Sequence, residues 1–99
     1  MRISRLQSDV LVALAALESR NITSVSRTDL LNIINSVRET PVFAVALRAS
    51  METLRRHGLT RTTKNMKTNK LSYSITGEGR ALGIDITVQR EREKAVENE

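Results

Sequence analysis

A chain of 99 residues carrying a net charge of +5 at pH 7 has room for one hydrophobic core and is too short for two. It contains no cysteine, one histidine (His57), one phenylalanine, one tyrosine and no tryptophan. That excludes disulfides and thiolate metal sites, argues against any metal cofactor, and removes the aromatic platforms on which many single-strand and RNA binders stack bases. The charge is uneven: residues 58–80 hold five cationic side chains against one acid, whereas residues 81–99 hold three against five. Clustered positive charge beside a folded core points to a polyanionic partner, nucleic acid above all.

Residues 4–18 read as a helix. Ser4 and Gln7 have capping-box spacing, and Leu6, Val10, Ala13, Leu14 and Leu17 recur at helical intervals. Leu11, Val12, Ala15 and Ala16 widen that stripe beyond one contact face, which suggests a second subunit over it. The apolar run at 10–17 falls far short of the ~20 residues of a membrane span and reads as core rather than leader, so no membrane partner is expected. "ITSV" at 22–25 is β-branched and suits a short bridging strand. Ser26 then caps a second helix through "RTDLLNIINSVR", with Leu30, Ile33, Ile34 and Val37 on its apolar side. Thr40-Pro41 has the form of a third helix start, running to Gly58 as the C-terminal cap, with Ala44, Leu47, Met51 and Leu54 inward.

"LTRTTK" at 59–64 and "LSYSI" at 71–75 read as a hairpin joined by "NMKTN". Leu71, Tyr73 and Ile75 share the buried side, and the first strand is polar after Leu59. Thr76 caps a further helical turn. Beyond it, "GIDITV" alternates as a strand does, while a helix there needs Gly83 in its interior at a cost of ~1 kcal/mol. Strand and helix are both open for 84–97. No nucleophile–base pair, carboxylate cluster or metal-ligand spacing appears, so an enzyme is not expected.

The order of helix, strand, helix, helix, hairpin and helix resembles the winged helix-turn-helix regulators of the MarR and PadR kinds. The motifs that carry the resemblance are Leu54-x-x-x-Gly58-Leu59 and, one hairpin later, Thr76-x-x-Gly79-Arg80-x-Leu82. It covers roughly residues 4–83. It implies an α+β fold: a three-helix core, a two-stranded β-hairpin wing and a C-terminal extension. The winged-helix domain is expected over 1–83 and the extension, a possible dimerisation segment, over 84–99. The resemblance further implies double-stranded DNA as partner, a homodimer and repressor activity, with cytoplasmic, nucleoid-associated placement. No small-molecule effector is evident.

By the same resemblance the third helix enters the major groove and the wing lies along the backbone or the minor groove. The helix residues concerned are Val42, Phe43, Val45, Ala46, Arg48, Ala49, Thr53, Arg55 and Arg56. On the wing they are Arg61, Thr62, Lys64, Asn65, Lys67, Thr68, Asn69 and Lys70. A six-residue wing strand reaches ~20 Å, far enough to touch phosphates. The helix departs from the usual polar pattern, because its outward first half is apolar. Two readings are open: contact with thymine methyls, or a protein-binding adaptor surface. Sequence-independent binding by a nucleoid or plasmid-maintenance protein is a third possibility.

Overall fold

The computed structural model describes residues 2–97; Met1, Asn98 and Glu99, at the ends of the expected domain and extension, lie outside the described residues. The capping box forms at the start of α1 (Arg5–Ser19): the Gln7 amide donates to Ser4 Oγ at 3.1 Å and the Ser4 amide donates to Gln7 Oε1 at 3.0 Å. Two of the N–H groups that a helix start leaves without partners are thereby satisfied. β1 (Val25–Ser26) follows, and Ser26 then caps α2 (Arg27–Ser36) by accepting from the Asp29 amide at 3.1 Å. The chain continues through α3 (Ala44–Arg56), β2 (Thr60–Lys64), β3 (Leu71–Ile75) and α4 (Gly77–Glu97). No described helix is long and apolar enough to cross a membrane.

The hairpin has a third strand beside it. Sheet order is β1-β3-β2, all antiparallel, with Val25 opposite Tyr73 and Ser26 opposite Ser72. One core joins the sheet to the helices. Leu11 from α1, Leu30 and Ile34 from α2, Leu47 and Leu54 from α3, and Tyr73 from β3 are almost fully removed from water.

Tertiary contacts correct two expectations and decide one point that the sequence leaves open. First, α3 begins at Ala44, not at Pro41. Asn35 in α2 grips the backbone of Val42, accepting from its N–H at 2.9 Å and donating to its C=O at 3.0 Å. Phe43 stays extended, at φ −94° and ψ 161°, and the helix starts after it without a side-chain cap. Second, residues 84–97, open between strand and helix in the sequence, continue α4 as one helix. Gly83 permits this, since a Cβ there would stand 2.8 Å from the Leu11 carbonyl oxygen and 3.2 Å from Ala15 Cβ. The interior glycine lets α4 lie against the α1 backbone, and that packing outweighs its poor helix propensity. Third, Leu11 and Ala15, read as surplus surface for another subunit, are covered by α4 of the same chain.

An ion-pair hub fixes these helices to the α2–α3 connection. The Asp9 carboxylate in α1 accepts from Arg38 Nη1 at 2.6 Å and from Arg90 Nη2 in α4 at 2.8 Å. Arg38 Nε also donates to the Thr40 carbonyl at 3.2 Å.

Candidate nucleic-acid interface

The spacing of apolar residues in α3 decides which side it shows to solvent. Leu47, Met51 and Leu54 recur at three- and four-residue steps and are buried. Val45, Ala49 and Arg56 therefore run along the opposite side, with Arg48 and Glu52 on one flank and Ala46 and Thr53 on the other. The exposure is high: Phe43 and Val45 keep 78% and 79% of their surface. Val42 does not belong to this face; it precedes the helix, is half-buried and packs on the core.

Most polar groups of α3 are already engaged. Thr53 Oγ1 donates to the Ala49 carbonyl at 3.2 Å. Arg55 grips Glu52 with Nε at 3.1 Å and Nη2 at 2.5 Å, and Arg56 Nε lies 3.5 Å from the same carboxylate. The Arg55 hydrogen bond, followed by its charge and that of Arg56, holds the Glu52 pKa below its ordinary value. Arg48 has no ion-pair partner among the described residues. Its charge lies close enough to the buried Tyr73 to act on it, as does that of Arg27 at the start of α2. Burial nevertheless raises the Tyr73 pKa, and the two cations only partly oppose it.

The wing divides its residues by register. Arg61 opposes Ser74 and Thr63 opposes Ser72 on one face of the sheet. Thr62 opposes Tyr73 and Lys64 opposes Leu71 on the other, the face that carries the core. Arg61 and Lys64 are therefore not brought together. Arg61 instead lines a shallow polar cavity with Glu18, Thr23, Ser24 and Arg80. At the tip, Asn65 Oδ1 accepts from the Lys67 and Thr68 amides at 2.9 and 3.2 Å, and Asn69 adopts a left-handed φ of 62°. Asn65 and Asn69 thus shape the turn, a role that asparagine fits because its side chain mimics a backbone turn and tolerates positive φ. Lys67 and Lys70 are exposed there with Met66, and no wing cation forms an ion pair among the described residues.

The two sequence motifs meet as one joint at the wing root. Gly58 leaves α3 with a φ of +73°, as a helix-ending glycine does. Thr76 Oγ1 donates to the Gly58 carbonyl at 2.7 Å and accepts from the Gly79 amide at 3.1 Å, while the Thr76 amide donates to the Leu59 carbonyl at 3.1 Å. A Cβ on Gly79 would stand 2.0 Å from the Leu59 carbonyl oxygen, so only glycine lets α4 approach. Arg80 pairs with Glu18 of α1, and Leu82 packs on the core. The joint fixes the wing relative to α3.

Three helices, a helix–turn–helix ending in an exposed α3, and a hairpin locked to its C-terminus decide the architecture. The fold is a winged helix-turn-helix. Solved structures agree. The adhesin competence repressor AdcR of Streptococcus pyogenes superposes with a TM-score of 0.74 at 15% identity, over 98% of this chain and 64% of that one. BpsR of Bordetella bronchiseptica, whose DNA binding is regulated by 6-hydroxynicotinic acid, superposes at 0.75 and 20% identity, over 95% and 64%. F-93 of SSV1 superposes at 0.67 and 17% identity, over 97% of both chains. This winged-helix chain spans less than two thirds of the length of AdcR. No family model matches the chain, and no curated protein matches it in sequence.

Proposed function

We propose that this winged-helix chain is a sequence-specific double-stranded DNA-binding protein, a dimeric transcriptional repressor acting in the cytoplasm at the nucleoid. The carrying observation is the joint that fixes an unpaired cationic hairpin to the end of an exposed third helix. The N-terminal half of α3 enters the major groove, where winged helices and their relatives read base edges. Lys64, Lys67 and Lys70 lie along phosphates and release counterions. Repressor activity is supported by AdcR, a repressor of the same fold, and DNA as partner by BpsR.

The dimer surface we assign to the outward side of α4. Gly83, Ile86 and Arg90 face α1 or its ion-pair hub, which turns Ala81, Ile84 and Val88 away from the chain's own core. Two-fold symmetry then makes the binding site near-palindromic, with half-sites one or two helical turns apart.

Fluorescence anisotropy with a mixed-sequence 30-base-pair duplex (~100 Å of DNA at ~3.4 Å per pair), titrated with salt, tests this reading. Binding is expected to weaken steeply with salt. The variant with Lys64, Lys67 and Lys70 changed to glutamine should show a shallower slope, by about 0.9 for each phosphate that the protein no longer neutralises. Absence of binding at low salt would sink the reading. It would leave the exposed Phe43–Ala49 face to a protein partner, as the adaptor alternative requires.

A further inference from the structure

We propose that the N-terminal half of α3 reads thymine methyl groups, so that the preferred site carries A·T pairs in the major groove opposite Phe43, Val45, Ala46 and Ala49. The inference rests on the DNA-binding reading above and specifies its target.

Three observations combine. The face is apolar and open: Phe43 and Val45 are more than three-quarters exposed, and Ala46 and Ala49 are exposed beside them. The hydrogen-bonding groups further along the helix are partly engaged: Thr53 donates to the Ala49 carbonyl, Arg55 donates twice to Glu52, and Arg56 forms an ion pair with the same carboxylate. In the N-terminal half of α3, residues 44–50, only Arg48 and Ser50 carry hydrogen-bonding side chains. Within the strip the charge has one sign, and the Glu52 carboxylate on its flank is paired with Arg55 and Arg56. Between Thr40 and Met51 the single ionisable side chain is Arg48, and the exposed lysines of the wing follow α3 in the chain.

An apolar strip with Arg48 on its flank, and a Glu52 carboxylate already paired with two arginines, matches a groove floor lined with methyl groups between two rows of phosphates. In the major groove only thymine offers a methyl; the other base edges there present hydrogen-bonding groups alone. Val45 and Ala49 lie one turn apart, about 5–6 Å, which suits methyls on neighbouring base pairs. Arg48 stands beside the strip and is free to take a phosphate or a guanine edge next to the A·T run.

The test begins by selecting preferred duplexes from a random pool with the full chain. Each preferred duplex is then remade with deoxyuridine at its thymines, which removes the 5-methyl and leaves every hydrogen-bonding group in place. Affinity is expected to fall about fourfold for each contacted methyl. In the variants Phe43→Ala and Val45→Ala the thymine–uracil difference should shrink. Both positions are exposed, so these variants should keep the wild-type helix content by circular dichroism. Equal affinity for thymine and uracil duplexes would overturn the inference while leaving DNA binding intact. So would selection of G·C sites through Arg48 alone. Failure to retain any duplex at low salt would overturn the DNA-binding reading itself.

Discussion

Gly79 shows how one absent methyl group holds the wing in place. Its missing Cβ is the space occupied by the Leu59 carbonyl oxygen. Gly79→Ala should therefore cost about 1–3 kcal/mol, the usual range for forcing atoms into a packed site. Gly77→Ala should cost far less, because its Cβ would meet only the end of the Arg80 side chain at 4.0 Å. Urea denaturation of the two variants measures the difference, and equal midpoints would contradict the joint. Glu18 makes a second case at this scale. Its hydrogen bond to Arg80 holds its pKa below the ordinary value of 4.5, against a smaller opposing effect of burial. The partners are 62 residues apart, so the unfolded chain does not keep the pair together. A lowered folded pKa means that the stabilisation is complete above 4.5 and is lost as pH falls through the lowered value. Glu18→Gln should flatten this acid limb of the stability curve, modestly because the pair is exposed. An unchanged limb in urea titrations across that window would show that the pair contributes nothing.

At the scale of elements, the α2–α3 connection is set by a side chain and not by the usual start signals. Thr40-Pro41 has good helix-start chemistry, yet the helix waits for Ala44 because Asn35 has claimed both polar groups of Val42. The Asp9–Arg38–Arg90 hub anchors the same connection to α1 and α4. Asn35→Ala should destabilise by about 1–3 kcal/mol, since it leaves part-buried backbone groups without partners. It should also weaken DNA binding beyond the stability loss, by freeing Phe43 and the start of α3. Wild-type DNA affinity in a folded Asn35→Ala protein would separate the connection from recognition. α1, α2 and β3 were legible from apolar periodicity because their buried faces follow the helical or strand repeat. The α3 start and the α4 continuation were not legible, because Asn35 and the α1 backbone act across many intervening residues.

The whole molecule is elongated, 53 Å along one axis and 28 Å along the others. α4 accounts for much of that length: its 21 residues span ~31 Å at 1.5 Å each. Apolar residues on two sides of one helix predict a partner for the side its own core does not use. Ile84 is half-exposed and Val88 is 42% exposed, on the side away from Gly83 and Ile86. Light scattering after size exclusion should give a dimer for the wild type and a monomer for Ile84→Glu with unchanged helix content. A wild-type monomer at micromolar concentration would refute this surface. The charge is also divided at this scale, with the positive excess on the wing and the acids concentrated beyond residue 80. The proposed DNA and subunit contacts lie in different regions, so the Ile84→Glu protein should retain weak half-site binding.

The sequence by itself determined the order of elements, the basic hairpin and the inward faces of the first three helices, apart from Val37, which lies beyond the end of α2 and is 79% exposed. These follow from local chemistry: periodicity, caps and the charge carried by a short stretch. It also contained the residues of the wing-root joint, but as two separate motifs without a stated physical role. Only the tertiary structure decided that Thr76 and Gly79 close on Gly58 and Leu59, and that Gly83 admits α4 against α1. It likewise divided Arg61 from Lys64 and withdrew Val42 from the α3 face. Each of these depends on a carbonyl, a side chain or a strand register supplied from elsewhere in the chain, which no local pattern encodes.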